Sequence, residues 1–249
     1  MNFERSIGHF VGYSVLLFSI FVLSACNSKI KLNDTQTVDA TLLYNESFDE
    51  NLNNWKVEQM PGGTVQIINK KLEIYDAAGC TIWYTQKLEG SIMITYDATV
   101  IDNGKLHDRV SDLNCFWMAT DLENPTNLFE NSARRGGKFS NYDSLQLYYM
   151  GVGGHNNTKT RFRRYLGNGE RPLLPEHDLT ASKFLLKANT TYKIKIIAHE
   201  GTIQYYKDDL LIADFQDSQP YTSGYFGLRT VDNHMTIDEF KVYRLSPVN

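Results

Sequence analysis

Apolar and polar residues alternate along most of the chain, which is typical of β-strands with one buried face. The longest alternating segment covers residues 92–100 and predicts a central strand. Asn69-Lys70 stands between two such segments, residues 64–68 and 71–75, and predicts the turn of a β-hairpin. Beyond the amino-terminal region, no window of about 11 residues or more keeps the apolar spacing of a helix. The pattern therefore predicts an all-β protein.

Further alternating segments bring the total to about a dozen predicted strands separated by turn residues, which is typical of a β-sandwich or barrel. These segments are residues 43–48, 81–85, 113–120, 144–152, 191–199, 202–207, 210–215, 224–230 and 236–245. No internal repeat or domain boundary interrupts the series. Residues 121–143 and 153–183 are interpreted as loop-rich insertions within one domain.

The amino-terminal segment predicts an export signal. Arg5 precedes an apolar run over residues 11–23, which is too short for a comfortable membrane span. The run ends in Leu23-Ser24-Ala25-Cys26, which resembles the bacterial lipobox, where the cysteine thiol receives a lipid and the preceding peptide is removed. The alternative is a plain signal peptide with a coincidental cysteine. The predicted segments are a signal peptide over 1–25, a polar tether over 26–42 that begins with the lipidated Cys26, and a folded domain over 43–249.

A lipid on Cys26 implies attachment to a membrane of the bacterial cell envelope. Asn27-Ser28 lacks the aspartate that indicates retention at the inner membrane in many bacteria, so the outer membrane is the expected location. The remaining cysteines, Cys80 and Cys115, lie in strand-like segments. A disulfide between them and two buried thiols both fit this setting, and two cysteines are too few for a thiolate metal site.

Composition and charge exclude several classes of protein. The chain is 42% hydrophobic and 12% aromatic, which is too apolar for a disordered protein. Its 25 Lys and Arg residues against 29 Asp and Glu residues give a formal net charge of -4. Such a charge provides no basic field to attract a phosphate backbone, so no nucleic-acid partner is expected.

Several segments resemble the concanavalin A-like lectin/glucanase fold, a jelly-roll β-sandwich of two antiparallel sheets. They are Phe48-Asp49 with Trp55, Lys71-Leu72-Glu73-Ile74, the closing Gly224-Tyr225-Phe226-Gly227-Leu228-Arg229, and Ile237-Asp238-Glu239-Phe240-Lys241-Val242-Tyr243. The resemblance covers roughly residues 43–245. It implies the fold and leaves the activity open.

The middle of the chain resembles a narrower family of uncharacterised jelly-roll domains in exported bacterial lipoproteins of polysaccharide-utilisation systems. The residues that carry this resemblance are Ser111-Asp112-Leu113-Asn114-Cys115-Phe116-Trp117-Met118-Ala119, Gly153-Gly154-His155-Asn156-Asn157-Thr158 and Thr160-Arg161-Phe162-Arg163-Arg164-Tyr165. Members of that family accompany the degradation of pectin and other plant polysaccharides. The resemblance implies a carbohydrate ligand and does not determine a reaction.

The densest group of ionisable residues follows a predicted strand that ends at Gly153-Gly154 and delivers His155 to a loop. In an extended segment, Arg161, Arg163 and Tyr165 share one face, while residues 162 and 164 share the other. Two guanidinium groups on one face are costly without an anionic partner, and the carboxylate of a uronate sugar would supply one. The alternative is a solvated basic strand whose charges are paired with Glu170, Glu176 or Asp178.

On the first interpretation the substrate is a uronate-containing polysaccharide cleaved by β-elimination. This reaction needs a group that neutralises the carboxylate, a base for the C5 proton and an acid for the leaving oxygen. We expect His155 as the base, Tyr149 or Tyr165 as the acid, and Arg161 or Arg163 as the neutralising group. Jelly-roll lyases are known to use such sets, which is an argument from analogy.

Further substrate contacts are expected from Asp112 and Asn114, which alternate with a core face formed by Leu113, Cys115, Trp117 and Ala119. Arg229 and His234 flank the last predicted hairpin and are also expected at the rim of the groove, although His234 could instead be packed. A polar solvent-facing strand is the alternative for residues 112 and 114.

Two other functions compete with the lyase. A non-catalytic glycan-binding module would rely on aromatic and amide side chains rather than on the ionisable set around His155. A glycoside hydrolase needs two carboxylates about 5 to 10 Å apart, and the chain has no Glu-x-Asp-x-Glu string of the kind usual in hydrolases of this fold. No cluster of His and carboxylate residues has metal-ligand spacing, so no cofactor is expected, while a structural calcium ion is left open.

Overall fold

Antiparallel β-strands dominate residues 28–248, which are the residues described by the structure, a computed structural model. The strands are β1 (Ser28–Lys31), β2 (Thr37–Glu46), β3 (Trp55–Gln59), β4 (Thr64–Ile68), β5 (Lys71–Asp76), β6 (Cys80–Tyr84), β7 (Leu88–Glu89), β8 (Ile92–Val100), β9 (Leu113–Asp121), β10 (Leu145–Gly153), β11 (Lys159–Leu166), β12 (Asp178–Leu179), β13 (Thr191–His199), β14 (Thr202–Lys207), β15 (Leu210–Gln216), β16 (Ser223–Thr230) and β17 (Asn233–Pro247).

Helical structure within residues 28–248 is confined to single turns, and none of these turns is long and apolar enough to span a membrane. The turns are Leu128–Asn131, Ser132–Arg135, Phe139–Tyr142, Gly154–Asn157, Pro175–His177 and Ser182–Phe184.

The strands form two sheets. The first sheet has the order β1-β2-β17-β8-β13-β14-β15, with β5 also paired to β17 and β4 to β5. The second sheet has the order β12-β11-β10-β9-β16-β6-β3, with β7 paired to the end of β16. Alternate residues of each strand point towards the other sheet, and the core contains Tyr96 and Ile196 from the first sheet and Trp117, Met150 and Phe226 from the second. The predicted jelly-roll sandwich is therefore confirmed.

The hairpin predicted around Asn69-Lys70 joins β4 and β5. Both turn residues have positive φ angles, 50° at Asn69 and 60° at Lys70, as a tight two-residue hairpin turn requires. The predicted central strand over residues 92–100 is β8, which lies between β17 and β13 with every second side chain buried. The period of two therefore located both the turn and the strand.

The predicted polar tether over residues 26–42 is wrong over its described part. Residues 28–31 and 37–46 form β1 and β2, and β2 pairs along the carboxyl-terminal half of β17. Leu32, Val38 and Ala40 are buried against side chains of the first sheet. Polar residues outnumber apolar ones in this segment, so its sequence shows no clear strand pattern. The predicted signal peptide and Cys26 lie outside the described residues, so the export signal and the lipid anchor stay predictions.

The insertion 121–143 is built into the fold. Its Leu128 and Tyr142 cover part of the outer face of the second sheet, where Trp83 and Phe116 form a second apolar cluster. Ala119 belongs to this outer cluster and not to the inter-sheet core predicted for it. The reason is an irregularity in β9, where Met118 has a φ angle of 52° and the pairing with both neighbouring strands shifts.

A buried ion-pair network anchors this insertion. The Arg135 guanidinium is fully buried and donates to Glu58 at 2.7 Å and to Asp121 at 3.1 Å. The Tyr142 hydroxyl donates to the same Glu58 carboxylate at 2.5 Å. Because an uncompensated buried charge is costly, the three charged groups, Arg135, Glu58 and Asp121, fix the insertion against β3 and β9.

Cys80 and Cys115 are both buried free thiols, which settles the two alternatives left open by the sequence. Burial raises the pKa of the Cys115 thiol to about 12 and raises that of Cys80 as well. Both thiols are therefore protonated and unreactive at neutral pH.

Candidate functional site

A pocket of about 500 Å³ lies on the outer face of the second sheet, beside the part covered by the insertion. Strands β9, β10, β11 and β16 form its floor. One wall is built from the loop before β9 and the turn after β10, and the other from Phe139 and Arg171. The lining residues are Arg109, Asp112, Asn114, Phe139, Tyr149, Gly151, Gly154, His155, Asn156, Lys159, Arg161, Arg163, Tyr165, Arg171, Arg229 and Val231.

The strand register arranges the floor in rows across the sheet. Gly151 pairs with Arg161 on one side and with Asn114 on the other, and Asn114 pairs with Arg229. In the next row of this face, Arg163 pairs with Tyr149. Residues that are directly opposite each other or two apart on a strand face the same side, so the register alone brings these side chains into one groove.

Gly151 leaves room for the Tyr149 side chain to lie across the floor. A Cβ atom at position 151 would lie 2.0 Å from the Tyr149 hydroxyl oxygen, which is too close for any other residue. Burial raises the pKa of Tyr149 well above its ordinary value of 10.0. The phenol is therefore protonated at neutral pH and able to donate a proton.

His155 stands on a left-handed turn at the edge of the pocket. His155, Asn156 and Asn157 have φ angles of 54°, 56° and 58°, a conformation that asparagine tolerates and that costs about 1–2 kcal/mol for a residue such as His155. Two anchors hold the turn: Asn157 exchanges two hydrogen bonds with the backbone of Leu186, and Asn156 accepts one from Arg109 at 2.7 Å. Strain that is held in this way is characteristic of functional sites.

His155 and Arg161 are in direct contact, with 2.8 Å between Nε2 of the imidazole and Nη1 of the guanidinium. A guanidinium can only donate, so Nε2 is the acceptor in this contact. Arg161 also donates from Nε and Nη2 to the two oxygens of Asp178, at 2.9 and 3.3 Å. Its pairing with Asp178 follows the alternative considered for the basic strand, although the side chain still lines the pocket.

Arg163 and Arg229 differ from Arg161 because neither has a carboxylate at salt-bridge distance among residues 28–248. Arg163 donates from Nη1 to the backbone oxygen of Arg171. Arg229 is only 3% exposed and donates from Nη1 to the Thr81 hydroxyl at 3.0 Å and the Gly137 carbonyl at 2.7 Å. The Nε and Nη2 groups of both side chains are free to bind an anion from the pocket.

The lining is strongly cationic although the chain as a whole carries a formal net charge of -4. Asp112 is the one carboxylate among the described lining residues, and it accepts a 2.6 Å hydrogen bond from Arg109. The cationic lining side chains are Arg109, Lys159, Arg161, Arg163, Arg171 and Arg229. Enclosed charge of one sign concentrates ligands of the opposite sign, so the pocket favours an anion.

Asn114 adds an unpaired acceptor to the floor. It is 5% exposed, its amide nitrogen lies 3.5 Å from Asp112 Oδ1, and its Oδ1 has no hydrogen-bond partner among the described residues. A buried amide oxygen without a partner costs free energy, which a ligand hydroxyl could recover by donating to it.

The structure brings eight of the nine predicted site residues into this pocket: His155, Tyr149, Arg161, Tyr165, Asp112, Asn114, Arg163 and Arg229. Tyr165 is 3% exposed, and burial raises its pKa to about 12. The substrate-contact prediction for His234 is wrong. His234 lies on β17 of the first sheet, is 5% exposed and bonds through Nδ1 to Asp108 at 2.7 Å, so it cannot reach the pocket.

The sequence did not reveal Arg109, Phe139, Lys159 and Arg171 as lining residues. Phe139 lies under two guanidinium groups, 4.1 Å from that of Arg171 and 5.5 Å from that of Arg229. These residues, apart from Lys159, come from turn-rich segments without a hydrophobic period. The sequence neighbours of Arg109 and Arg171, which are Asp108 and Pro172, do not indicate that the two arginines share a pocket. Within residues 28–248, no three His, Cys, Asp or Glu side chains are grouped so that they could hold a metal ion.

The sandwich and its groove define a galectin-like or concanavalin A-like jelly roll, and comparison with solved structures agrees. A protein of unknown function with a galectin-like fold from Bacillus subtilis matches with a TM-score of 0.66 and 18% identity over 83% of this chain and 97% of that one. The carbohydrate-binding module CBM66 from Bacillus subtilis matches with a TM-score of 0.52 and 17% identity, over 76% and 95% of the two chains. An endo-β-1,3-glucanase from Pyrococcus furiosus matches with a TM-score of 0.54 and 12% identity, over 85% and 97%.

A family model described as "Domain of unknown function (DUF6250)" matches residues 74–240, and the chain belongs to this family. The matched segment contains every lining residue of the pocket. A search of curated proteins found no match.

Proposed function

We propose that this domain binds an acidic polysaccharide in the cationic pocket and cleaves it by β-elimination. The observation that carries the proposal is the contact between His155 and Arg161 within a groove that also contains the Tyr149 phenol. Carbohydrate as the ligand class is supported by fold-level analogy with the carbohydrate-binding module and the glucanase. Uronate as the acidic sugar is supported by the unpaired guanidinium edges of Arg163 and Arg229.

Neutralisation of the substrate carboxylate is the first requirement of the reaction. Asp178 holds Arg161 through Nε and Nη2, so Nη1 is the end of the guanidinium that can turn towards a ligand. A substrate carboxylate can replace His155 as the acceptor of the hydrogen bond from Arg161 Nη1. The lone pair on His155 Nε2 then becomes available at the same time. Arg163 supplies a second cation on the same strand face. Substrate binding and activation of the base are thereby coupled.

The elimination step then balances as follows. His155 Nε2 takes the C5 proton, the C5–H electron pair forms the C4–C5 double bond, and the C4–O glycosidic bond breaks. The Tyr149 hydroxyl gives its proton to the leaving oxygen, and the tyrosinate is stabilised by the nearby charges of Arg163 and Arg229. The proton on His155 returns to Tyr149 through solvent. The products are a new chain end and an unsaturated uronate.

A non-catalytic glycan-binding module is the second candidate. It is favoured by the hydrogen bonding of Arg161, because all three of its nitrogens have partners within the protein and none needs a ligand. A hydrolase is less well supported, because Asp112 is the one carboxylate among the described lining residues and it is paired with Arg109.

The lipobox at residues 23–26 supports a further part of the proposal, that the protein is lipid-anchored in the bacterial cell envelope, at the outer membrane. Polysaccharide from outside the cell is accessible there. Mass spectrometry of the amino-terminal peptide of the mature protein tests this: a diacylated Cys26 supports the anchor, and an unmodified Cys26 contradicts it.

The test of the proposed function uses the protein from Ser28 onward, so that β1 and β2 are kept. It is incubated with a panel of uronate-containing polysaccharides while the absorbance of the unsaturated uronate product is recorded. We expect rising absorbance with at least one polysaccharide and a loss of about 100-fold or more in the His155→Ala variant. The matched control is His107→Ala, which changes a histidine outside the pocket lining.

Retarded migration of the protein in a gel containing one of these polysaccharides, without any change in absorbance, would establish the binding module instead. Equal absorbance rates in wild type and His155→Ala would remove His155 from the reaction.

A further inference from the structure

The pocket contains two separate sets of free guanidinium donors at opposite ends of its floor. Arg163 stands on β11 and Arg229 on β16, with β10 and β9 between them. Neighbouring strands are about 4.8 Å apart, so the two strands are roughly 14 Å apart across the sheet. The two guanidinium groups also have different anchors, since Arg163 donates to the backbone of Arg171 while Arg229 donates to Thr81 and Gly137.

The Arg229 end has the features of a built site. Arg229 is only 3% exposed, and its Nη1 group donates to the Thr81 hydroxyl and to the Gly137 carbonyl. Phe139 and Tyr142 pack against the guanidinium, at 5.5 and 5.1 Å from its carbon to the ring centroids. The orientation of the remaining three N–H donors is therefore fixed before any ligand arrives.

The Arg163 end is more open and is bordered by a second arginine. Arg163 donates to the backbone of Arg171, and Arg171 stacks on Phe139 at 4.1 Å and on Tyr165 at 5.0 Å. The Arg171 charge is partly offset by Asp143, which accepts a hydrogen bond from it at 2.5 Å. Arg163 has no such carboxylate among the described residues.

Tyr149 lies between the two ends. Its hydroxyl is over Gly151, whose neighbours in the same row are Arg161 on β11 and Asn114 on β9. Asn114 is in turn the neighbour of Arg229. The proposed proton donor is thus placed between two anion-binding positions.

We propose that the floor carries two independent anion subsites, one at Arg163 and one at Arg229, and that the ligand is a polyanionic glycan with acidic groups on separate sugar units on either side of Tyr149. This inference rests on the proposed function for its glycan and its cleavage point. The two subsites themselves do not depend on cleavage. A glycan with an isolated acidic sugar would leave one of the two guanidinium groups unpaired.

The test uses inorganic sulfate as the probe and follows the arginine Nε–Hε signals of the protein from Ser28 onward by NMR. We expect two of these signals to shift and saturate with sulfate, and to respond much less to chloride at equal ionic strength. Arg163→Gln and Arg229→Lys assign the signals by removing one each. Arg134→Gln is the matched control, because Arg134 is exposed and pairs with Glu123 outside the pocket.

Independence of the subsites is read from the variants. Arg163→Gln is expected to leave the sulfate affinity at Arg229 unchanged within about twofold, and Arg229→Lys to leave the affinity at Arg163 unchanged to the same degree. Loss of both responses in either variant would mean a single anion site, and non-saturating shifts at both arginines would mean no site. These results stand whether or not the absorbance assay detects elimination, so failure of the subsites and failure of the proposed reaction are distinguishable.

Discussion

Tyr149 has the features that the proposed reaction requires of a proton donor. Its hydroxyl lies across Gly151 on the floor of the pocket, its pKa is raised by burial, and two arginines stand near enough to stabilise its anion. Because the pKa is well above 10.0, ionisation of Tyr149 should not reduce activity between neutral pH and about pH 10. Tyr165 lines the same pocket but packs within the apolar cluster with Phe116.

Tyr149→Phe keeps the ring and removes only the hydroxyl. We expect the elimination rate to fall by about 100-fold or more, while the dissociation constant for the polysaccharide changes by less than about threefold. Initial rates and a binding titration measure the two effects. Tyr165→Phe is the matched control, and a larger rate loss in that variant than in Tyr149→Phe would assign the acid to Tyr165 instead.

At the level of elements, β1 and β2 belong to the folded domain. β2 pairs with β17, and Leu32 and Val38 pack against Met93, Ile197 and Leu245. Removal of residues 28–42 exposes this cluster and leaves residues 243–247 of β17 without their partner strand. We expect a protein that starts at residue 43 to be at least about 3 kcal/mol less stable than one that starts at Ser28, as measured by urea unfolding. Equal stability would restore the interpretation of this segment as a tether.

Strand alternation made much of the fold predictable, and β8, β13 and β14 have the bounds that the pattern indicated. The same rule placed Arg161, Arg163 and Tyr165 on one face. It failed at Ala119 because a positive φ angle at Met118 reverses the alternation, which no residue type at that position announces. It also gave no indication of Arg109 or Phe139, because tertiary contacts place both residues. Arg109 bonds to the backbone of Val231 and Asp232, and Gly137, two residues before Phe139, lies close to Gly79.

At the level of the whole molecule, the buried Arg135–Glu58–Asp121 network links the insertion 121–143 to the sandwich and so to the pocket wall. Gly137 and Phe139, which contact Arg229, follow closely after Arg135 in the chain. Glu58→Gln leaves the buried guanidinium under-compensated, and we expect it to lower the free energy of unfolding by about 3–5 kcal/mol. We also expect weaker sulfate binding at Arg229.

Glu123→Gln serves as the control for this change, because it breaks the exposed ion pair with Arg134 on the same insertion. Its cost should be below about 1 kcal/mol. Urea unfolding measures both variants. Equal stabilities for Glu58→Gln and Glu123→Gln would show that the network does not anchor the insertion.

The most direct test of the central claim is the mass of the products formed from a defined oligosaccharide of a polysaccharide that the protein cleaves. Elimination adds no water, so the masses of the two fragments sum to the mass of the substrate. Hydrolysis adds one water molecule to that sum. We predict fragments whose masses sum to that of the substrate, with the unsaturated uronate on one of them. A sum larger by one water would contradict the assignment of His155 and Tyr149 to β-elimination.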